Sequence, residues 1–291
     1  MDLKKINKET IRDFIRTSPI LFSIGFTLLV LLVNAAFSKL NYLLLPQNTW
    51  GGILKEVVNI LWPVALAVIF GFGFIFRQRG LRATIRAALP IFLVYGYLLA
   101  VYLKIVHSDP ATQWKSELEI FQGVLLLLGI GIREEVLFRG VITNAIARKY
   151  GSTSKGLWIT ALSAGAMFGA MHLSNVFHGA SFAGALTQAI SCISSGVLFC
   201  AIYLRGGSIW VVALLHSLED TPALVKILFT NFAENVTAAE ADMIGNYRPS
   251  LTIVIMFVVE LLLAAYLLRK SRQQKIFDRV QQLNSLEEAN S

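Results

Sequence analysis

Two adjacent carboxylates, Glu134 and Glu135, stand in an otherwise apolar block, with Arg139 four residues after the second. On a helix Glu135 and Arg139 share a face and can form an ion pair, while Glu134 projects about 100° away. One carboxylate is thus anchored, and the other is left without a cation of its own. A free carboxylate in an apolar setting suits a general base or a metal ligand. Two further blocks carry the complementary groups. One ends Phe168-Gly169-Ala170-Met171-His172, and the other contains His216-Ser217-Leu218-Glu219-Asp220. His216 and Asp220 are i and i+4 and point from one helix face. Glu134, His172, His216 and Asp220 together could line a cavity that holds a nucleophilic water or a divalent metal.

The elements that position them are set by composition. The 291 residues are 55% hydrophobic and only 15% charged, with a mean hydropathy of +0.63, which places the chain in the membrane class. Apolar residues come in blocks near the ~20 residues that cross a bilayer as a helix. The expected fold is an all-α, polytopic transmembrane helical bundle of about eight spans. These run near 18–38, 54–76, 87–106, 117–148, 157–175, 182–204, 208–230 and 250–268. Three regions follow: 1–116 with the basic N-terminus and spans 1–3, 117–230 as the catalytic core of spans 4–7, and 231–291 as an external loop, span 8 and a polar cytoplasmic tail. The first apolar stretch is long enough to span, so it reads as a retained helix and not as a cleaved signal.

The net charge of +8 resides at the ends of the apolar blocks, so it reads as a topology signal and not as a nucleic-acid-binding stripe. Eighteen Lys and Arg residues fall on one side, among them Arg12, Arg16, Arg77, Arg79, Arg82, Arg86, Arg148, Lys149, Arg205 and the cluster from Arg269 to Arg279. Lys39, Lys55, Lys104, Lys115 and Arg248 fall on the other. The positive-inside rule then puts both termini in the cytoplasm. The acidic 231–246 loop lies outside and carries the tripeptide Asn235-Val236-Thr237, a glycosylation sequon by pattern alone. His107 and His178 fall in external loops without a role. Cys192 and Cys200 sit eight residues apart in one block, ~12 Å along a helix and beyond disulfide reach.

The turn between the fourth and fifth spans, Tyr150 to Gly156, is equidistant from Glu134 and His172. Two antiparallel helices leaving it bring both residues to one level, roughly 20–28 Å from its tip and inside the membrane. Ionisable groups at that depth are costly and mark function more often than structure. Gly165 and Gly169 form a GxxxG spacing that permits close helix packing. Glu260 and Lys226 read either as a buried pair or as groups facing a water cavity.

At these residues the sequence resembles the CPBP intramembrane protease family, which includes the CAAX-processing, Ras-converting endopeptidases and bacteriocin-immunity relatives. The family motifs EExxxR, FxxxH and HxxxN or HxxxD read here as Glu134 to Arg139, Phe168 to His172, and His216 to Asp220, once each and in order on separate spans. The likeness covers about 117–230. It implies peptide-bond hydrolysis, with Glu134 activating water, His172 supporting it, and His216 and Asp220 stabilising the oxyanion. Glu135, Arg139 and Phe168 would orient the site. The family chemistry has been described both as glutamate-dependent, needing no cofactor, and as zinc-dependent. A zinc would draw on Glu134, His172 and His216, although the compact HExxH geometry is absent. The implied substrate is a membrane-associated or hydrophobic peptide, cut from the cytoplasmic side. The implied location is the plasma membrane of a prokaryote or an endomembrane of a eukaryote, with the bilayer as the other partner and no nucleic acid.

Two other classes fit such a constellation. Buried Glu, His and Lys also mark ion-coupled transporters, but these often carry internal repeats and paired broken helices, and none is visible here. A non-catalytic immunity protein could sequester a peptide in the same cavity.

Overall fold

The computed structural model describes residues 3–46, 48–77, 80–231, 243–244 and 246–288. Helix α1 (Leu3–Thr17) leads into α2 (Pro19–Leu44), α3 (Thr49–Ile69) and α4 (Leu81–Ser108). A long rod follows: α5 (Glu117–Glu135), a π-helical stretch (Val136–Thr143) and α6 (Asn144–Tyr150). Then come α7 (Ser154–Met171), with a 3-10 continuation (His172–His178), α8 (Phe182–Gly206), α9 (Ile209–Phe229), α10 (Leu251–Leu267) and α11 (Gln274–Glu288). The described residues hold no strand, only an isolated bridge between Trp114 and Thr230. The sequon at 235–237 and Arg79 lie outside the described residues.

This is an all-α membrane bundle. Helices α2, α3, α4, α7 with its 3-10 continuation, and α8 are long and apolar enough to cross a membrane. Helix α10 is shorter, and the α5–α6 rod and α9 carry the charges that form the candidate site. Outward-facing Leu28, Leu32, Leu61, Leu93, Leu214 and Leu262 are each more than half exposed. Such a leucine surface is stable against hydrocarbon and not against water.

Helix α8 is the axle. Every residue from Ser194 to Leu204 is buried, as expected of a helix apolar on all sides and packed on all sides. Helix α7 seats on it through small residues. A methyl added at Gly165 would lie 2.6 Å from Val197 Cγ2 and 2.9 Å from the Ile193 carbonyl, and one at Gly196 would meet Gly165 Cα at 2.8 Å. The backbones therefore approach more closely than any larger residue allows. Gly165→Val is expected to destabilise the bundle by about 1–3 kcal/mol through overpacking, read as a lowered Tm of the detergent-purified protein.

The two ends of the bundle differ. At one end the basic segments are tied together: Lys149 Nζ donates to the Thr17 carbonyl, Arg205 to that of Arg272 and Arg279 to that of Tyr203. Gln273 accepts from Ser154 there, and Ser208 N donates to Thr84 Oγ1 at 3.1 Å. Buried Ile276 and Val280, one helical turn apart, dock α11 at this end. At the other end Lys115 N donates to the Phe229 carbonyl at 2.9 Å and Asn231 N to that of Gln113 at 2.8 Å. The α2–α3 connection lies at the same end as these contacts and shares a cavity with Lys115 and Leu228.

Candidate active site

The site is built where the long rod loses α-helical register. Val136–Thr143 is π-helical, a form with poorer local hydrogen bonding that recurs at functional sites. Asn144 sustains it from within. Its Nδ2 lies 3.1 Å from the Arg139 carbonyl and 2.7 Å from that of Gly140, and 3.0 Å from Tyr203 Oη. Glu134 and Glu135 are the last residues of α5 before this stretch.

Glu135 is fully buried and Arg139 is 1% exposed. Arg139 Nη1 donates to Glu135 Oε1 at 2.7 Å. The expected ion pair is therefore present, but it is not isolated. His216 Nδ1, from α9, meets the same Glu135 oxygen at 2.7 Å, and Arg139 Nη2 donates to the Gly196 carbonyl of α8 at 3.2 Å. One carboxylate thus joins α5, the π-helical stretch and α9, and through the guanidinium reaches α8. Phe168 fills the space beneath them. Its ring centroid lies 4.6 Å from Arg139 Cζ, 4.9 Å from the His172 ring and 5.6 Å from the His216 ring. Phe199 adds a second aromatic face to Arg139 and His216. A guanidinium between aromatic faces with charge-assisted hydrogen bonds is a stable way to bury a cation.

The anchoring of His216 fixes which way its other nitrogen points. A carboxylate accepts only, so Nδ1 carries the proton of that hydrogen bond. Nε2 then faces the opposite side, 3.7 Å from Glu134 Oε2 and 3.6 Å from Asp220 Oδ2. These separations are too long for direct hydrogen bonds and suit bridging by a shared molecule. His172 is oriented in the same manner. Its Nδ1 donates to the Phe168 carbonyl at 2.9 Å, which leaves Nε2 as an acceptor in the neutral ring. His172 lies near enough to Glu134 for their charges to interact. Glu134 is 7% exposed, and its Oε2 has no hydrogen-bond partner among the described residues.

One expectation from spacing is corrected. Glu134 does have a cation of its own: Arg133 Nη2 donates to its Oε1 at 3.4 Å. Adjacent helical residues project about 100° apart, so spacing does not pair them. The long, flexible arginine side chain closes that angle, which only the folded surroundings could reveal. Arg133 is the residue that sequence reasoning passed over. Glu260 also finds its setting here, accepting from Tyr95 Oη at 2.7 Å and Ser194 Oγ at 2.6 Å.

The candidate zinc set of Glu134, His172 and His216 does not converge as ligands. Among the described residues no group of three or more His, Cys, Asp or Glu side chains is placed to hold a metal ion.

Comparison with protein families gives one match. A family model described as Rce1-like, type II CAAX prenyl endopeptidase, matches residues 116–221. The matched segment opens at the capping-box serine of α5, Ser116, and closes just past Asp220, so it contains Glu134, His172, His216 and Asp220. No curated protein and no solved structure matches the chain.

Proposed function

We propose, from the premise that this chain belongs to the Rce1-like family of type II CAAX prenyl endopeptidases, that Glu134 is the general base of a glutamate-driven peptide hydrolysis. The protein is a multi-pass intramembrane endopeptidase acting on a protein substrate. The observation that carries the finer reading is the lone oxygen Glu134 Oε2. It is buried, accepts no hydrogen bond among the described residues, and faces His216 Nε2 at 3.7 Å. A carboxylate oxygen kept dry and free beside an imidazole is suited to accept a proton from a water.

In the proposed reaction a water lies between Glu134 Oε2 and the acceptor nitrogen of His172. Glu134 takes one proton as the water oxygen bonds to the scissile carbonyl carbon. The carbonyl oxygen gains the displaced electron pair and is met by an N–H at His216 Nε2, the ring acting as an imidazolium whose Nδ1–H is held by Glu135 and whose charge is balanced by Glu135 and Asp220. The C–N bond then breaks, and the proton held by Glu134 passes to the leaving amine. The products are a new carboxylate and a new amino terminus. Arg133 holds Glu134 Oε1 in place, so that Oε2 is the oxygen presented.

Comparative peptidomics of membranes bearing the wild-type chain or Glu134→Gln tests this reading, together with metal analysis of the purified protein. Peptides that disappear in the variant, with cleavage insensitive to chelators, are the expected result. Unchanged cleavage in Glu134→Gln overturns it, and stoichiometric zinc whose removal abolishes cleavage replaces it with the metallo-type reading. A protein that only sequesters peptide keeps its biological effect in the same variant. A milder effect is expected at Asp220, which is 29% exposed at its side chain and lies 3.6 Å from His216 Nε2. Asp220→Asn should lower kcat by about tenfold, with KM unchanged, because it weakens charge stabilisation without removing the base.

A further inference from the structure

A cavity of about 720 Å³ lies between α2, α3 and α5. Its lining is unlike the leucine exterior of the bundle. It includes Asn41, Asn59, Gln122, Lys55, Lys115 and Arg133. Lys115, Glu119 and Gln122 line its upper part, Leu126 and Ile130 its middle and Arg133 its far end, a run of about 27 Å at the α-helical rise. The cavity therefore reaches from one end of the bundle down to the arginine that holds the catalytic glutamate at 3.4 Å. Helices α3 and α5 close its floor through small residues. A methyl on Gly52 would overlap the Gln122 amide, and one on Gly129 would touch Glu56 Oε2.

Two observations point to an occupant. Asn41 is 7% exposed, lines the cavity, and its Nδ2 has no hydrogen-bond partner among the described residues. A buried amide without partners is destabilising unless something in the cavity satisfies it. Asn59 presents a second amide, with one N–H turned to Glu56 Oε2 at 3.2 Å. Amides that both donate and accept match the alternating N–H and C=O groups of an extended peptide backbone. An isoprenoid chain would leave every one of these groups unsatisfied.

The solvent-exposed lining residues Tyr42, Pro46 and Asn48 lie at the Lys115 and Leu228 end of the cavity, which is therefore its mouth. That is the end opposite the tied basic segments around Arg16, Lys149, Arg205 and Arg272. If the basic end faces the cytoplasm, the cavity opens away from it. We infer that this cavity is the peptide-binding entrance of the site, and that it admits a polar, extended peptide segment from the non-cytoplasmic side, in place of the cytoplasmic approach expected from the sequence. The inference rests on the endopeptidase reading of Glu134.

A membrane-impermeant maleimide tests the orientation without any catalysis. Ser38→Cys and Lys55→Cys report the cavity mouth and Ser271→Cys the basic end, with labelling of the native cysteines in the parent chain as background. The cavity variants are expected to label in right-side-out vesicles, and Ser271→Cys only in inverted ones. The reverse pattern overturns the inference. A pool of unmodified soluble peptides tests occupancy in the Lys55→Cys, Glu134→Gln double variant, where cleavage is slowed about 10²–10⁴-fold. Labelling of Cys at position 55 should slow on the order of tenfold when peptide is present, the effect of occupancy at about ten times Kd. No protection in that variant overturns the peptide assignment even if the wild-type chain proves proteolytic. Protection with no cleavage by the wild-type chain instead sinks the endopeptidase reading and leaves a peptide-binding cavity. In the active chain, Asn41→Leu should raise KM about tenfold, with kcat little changed, as the loss of uniform binding predicts. A fall in kcat at constant KM would show a structural role only.

Discussion

Replacing Glu134 by glutamine is expected to lower kcat by about 10²–10⁴-fold, the range ascribed to a positioned general base. The folded state should survive, because glutamine keeps the shape and can still present its carbonyl oxygen to Arg133, now at 3.4 Å from Glu134 Oε1. The lost function is basicity at Oε2, the oxygen that faces His216 Nε2 at 3.7 Å. Substrate KM should change little, since the group acts on water and not on peptide binding. Single-turnover cleavage and thermal melting of the two purified proteins decide the matter. A Glu134→Gln chain that melts normally and cleaves at more than a tenth of the wild-type rate contradicts the assignment. Asp220, whose Oδ2 lies 3.6 Å from His216 Nε2, would then be the next candidate base.

The second large effect is at Arg139. Arg139→Leu removes the guanidinium from Glu135 Oε1 and from the Gly196 carbonyl. Glu135, fully buried, would keep only His216 as a partner. Breaking one side of a buried ion pair typically costs about 3–5 kcal/mol, because the remaining charge stays desolvated. A strongly lowered Tm or failure to accumulate in the membrane is the expected outcome. The double variant Glu135→Gln, Arg139→Met should recover much of that stability, since both charges leave together. It should not recover cleavage. His216 would lose the carboxylate that fixes its Nδ1 proton, and its Nε2 would no longer be held toward Glu134 and Asp220. Stability restored without activity separates the positioning role of the pair from its structural one. Stability and activity restored together would show that the pair only supports the fold.

Much of the arrangement was legible in the residues themselves. The apolar blocks marked every long helix from α2 to α10, because a membrane helix must satisfy its backbone within one continuous segment. The i and i+4 spacing joined Glu135 to Arg139 and His216 to Asp220, since those offsets share a helix face. The common turn at 151–153 related Glu134 to His172. A polar stripe at Asn34, Ser38 and Asn41, spaced one turn apart in α2, was also present as a signal for the cavity. It becomes readable only when α3 and α5 supply the facing stripes, because one polar helix face does not say what lies opposite.

Other features depend on contacts between elements far apart in sequence. The π-helical stretch after Glu135 is held by the Asn144 amide and Tyr203, and no pattern in residues 136–143 announces it. Phe168 serves Arg139 and both histidines at once, a role visible only with three helices in place. The anchored and free glutamates illustrate the division best. Spacing on one helix separated Glu135 from Glu134 by about 100° and gave Arg139 to the former. Only packing showed that Glu135 also fixes His216, that Arg133 holds Glu134, and that a polar cavity leads to them from the end opposite the basic termini. Sequence by itself determined which residues are costly enough in a membrane to require a purpose. Tertiary structure decided which atom of each is free to act, because hydrogen bonds and burial are assigned between helices and not along them.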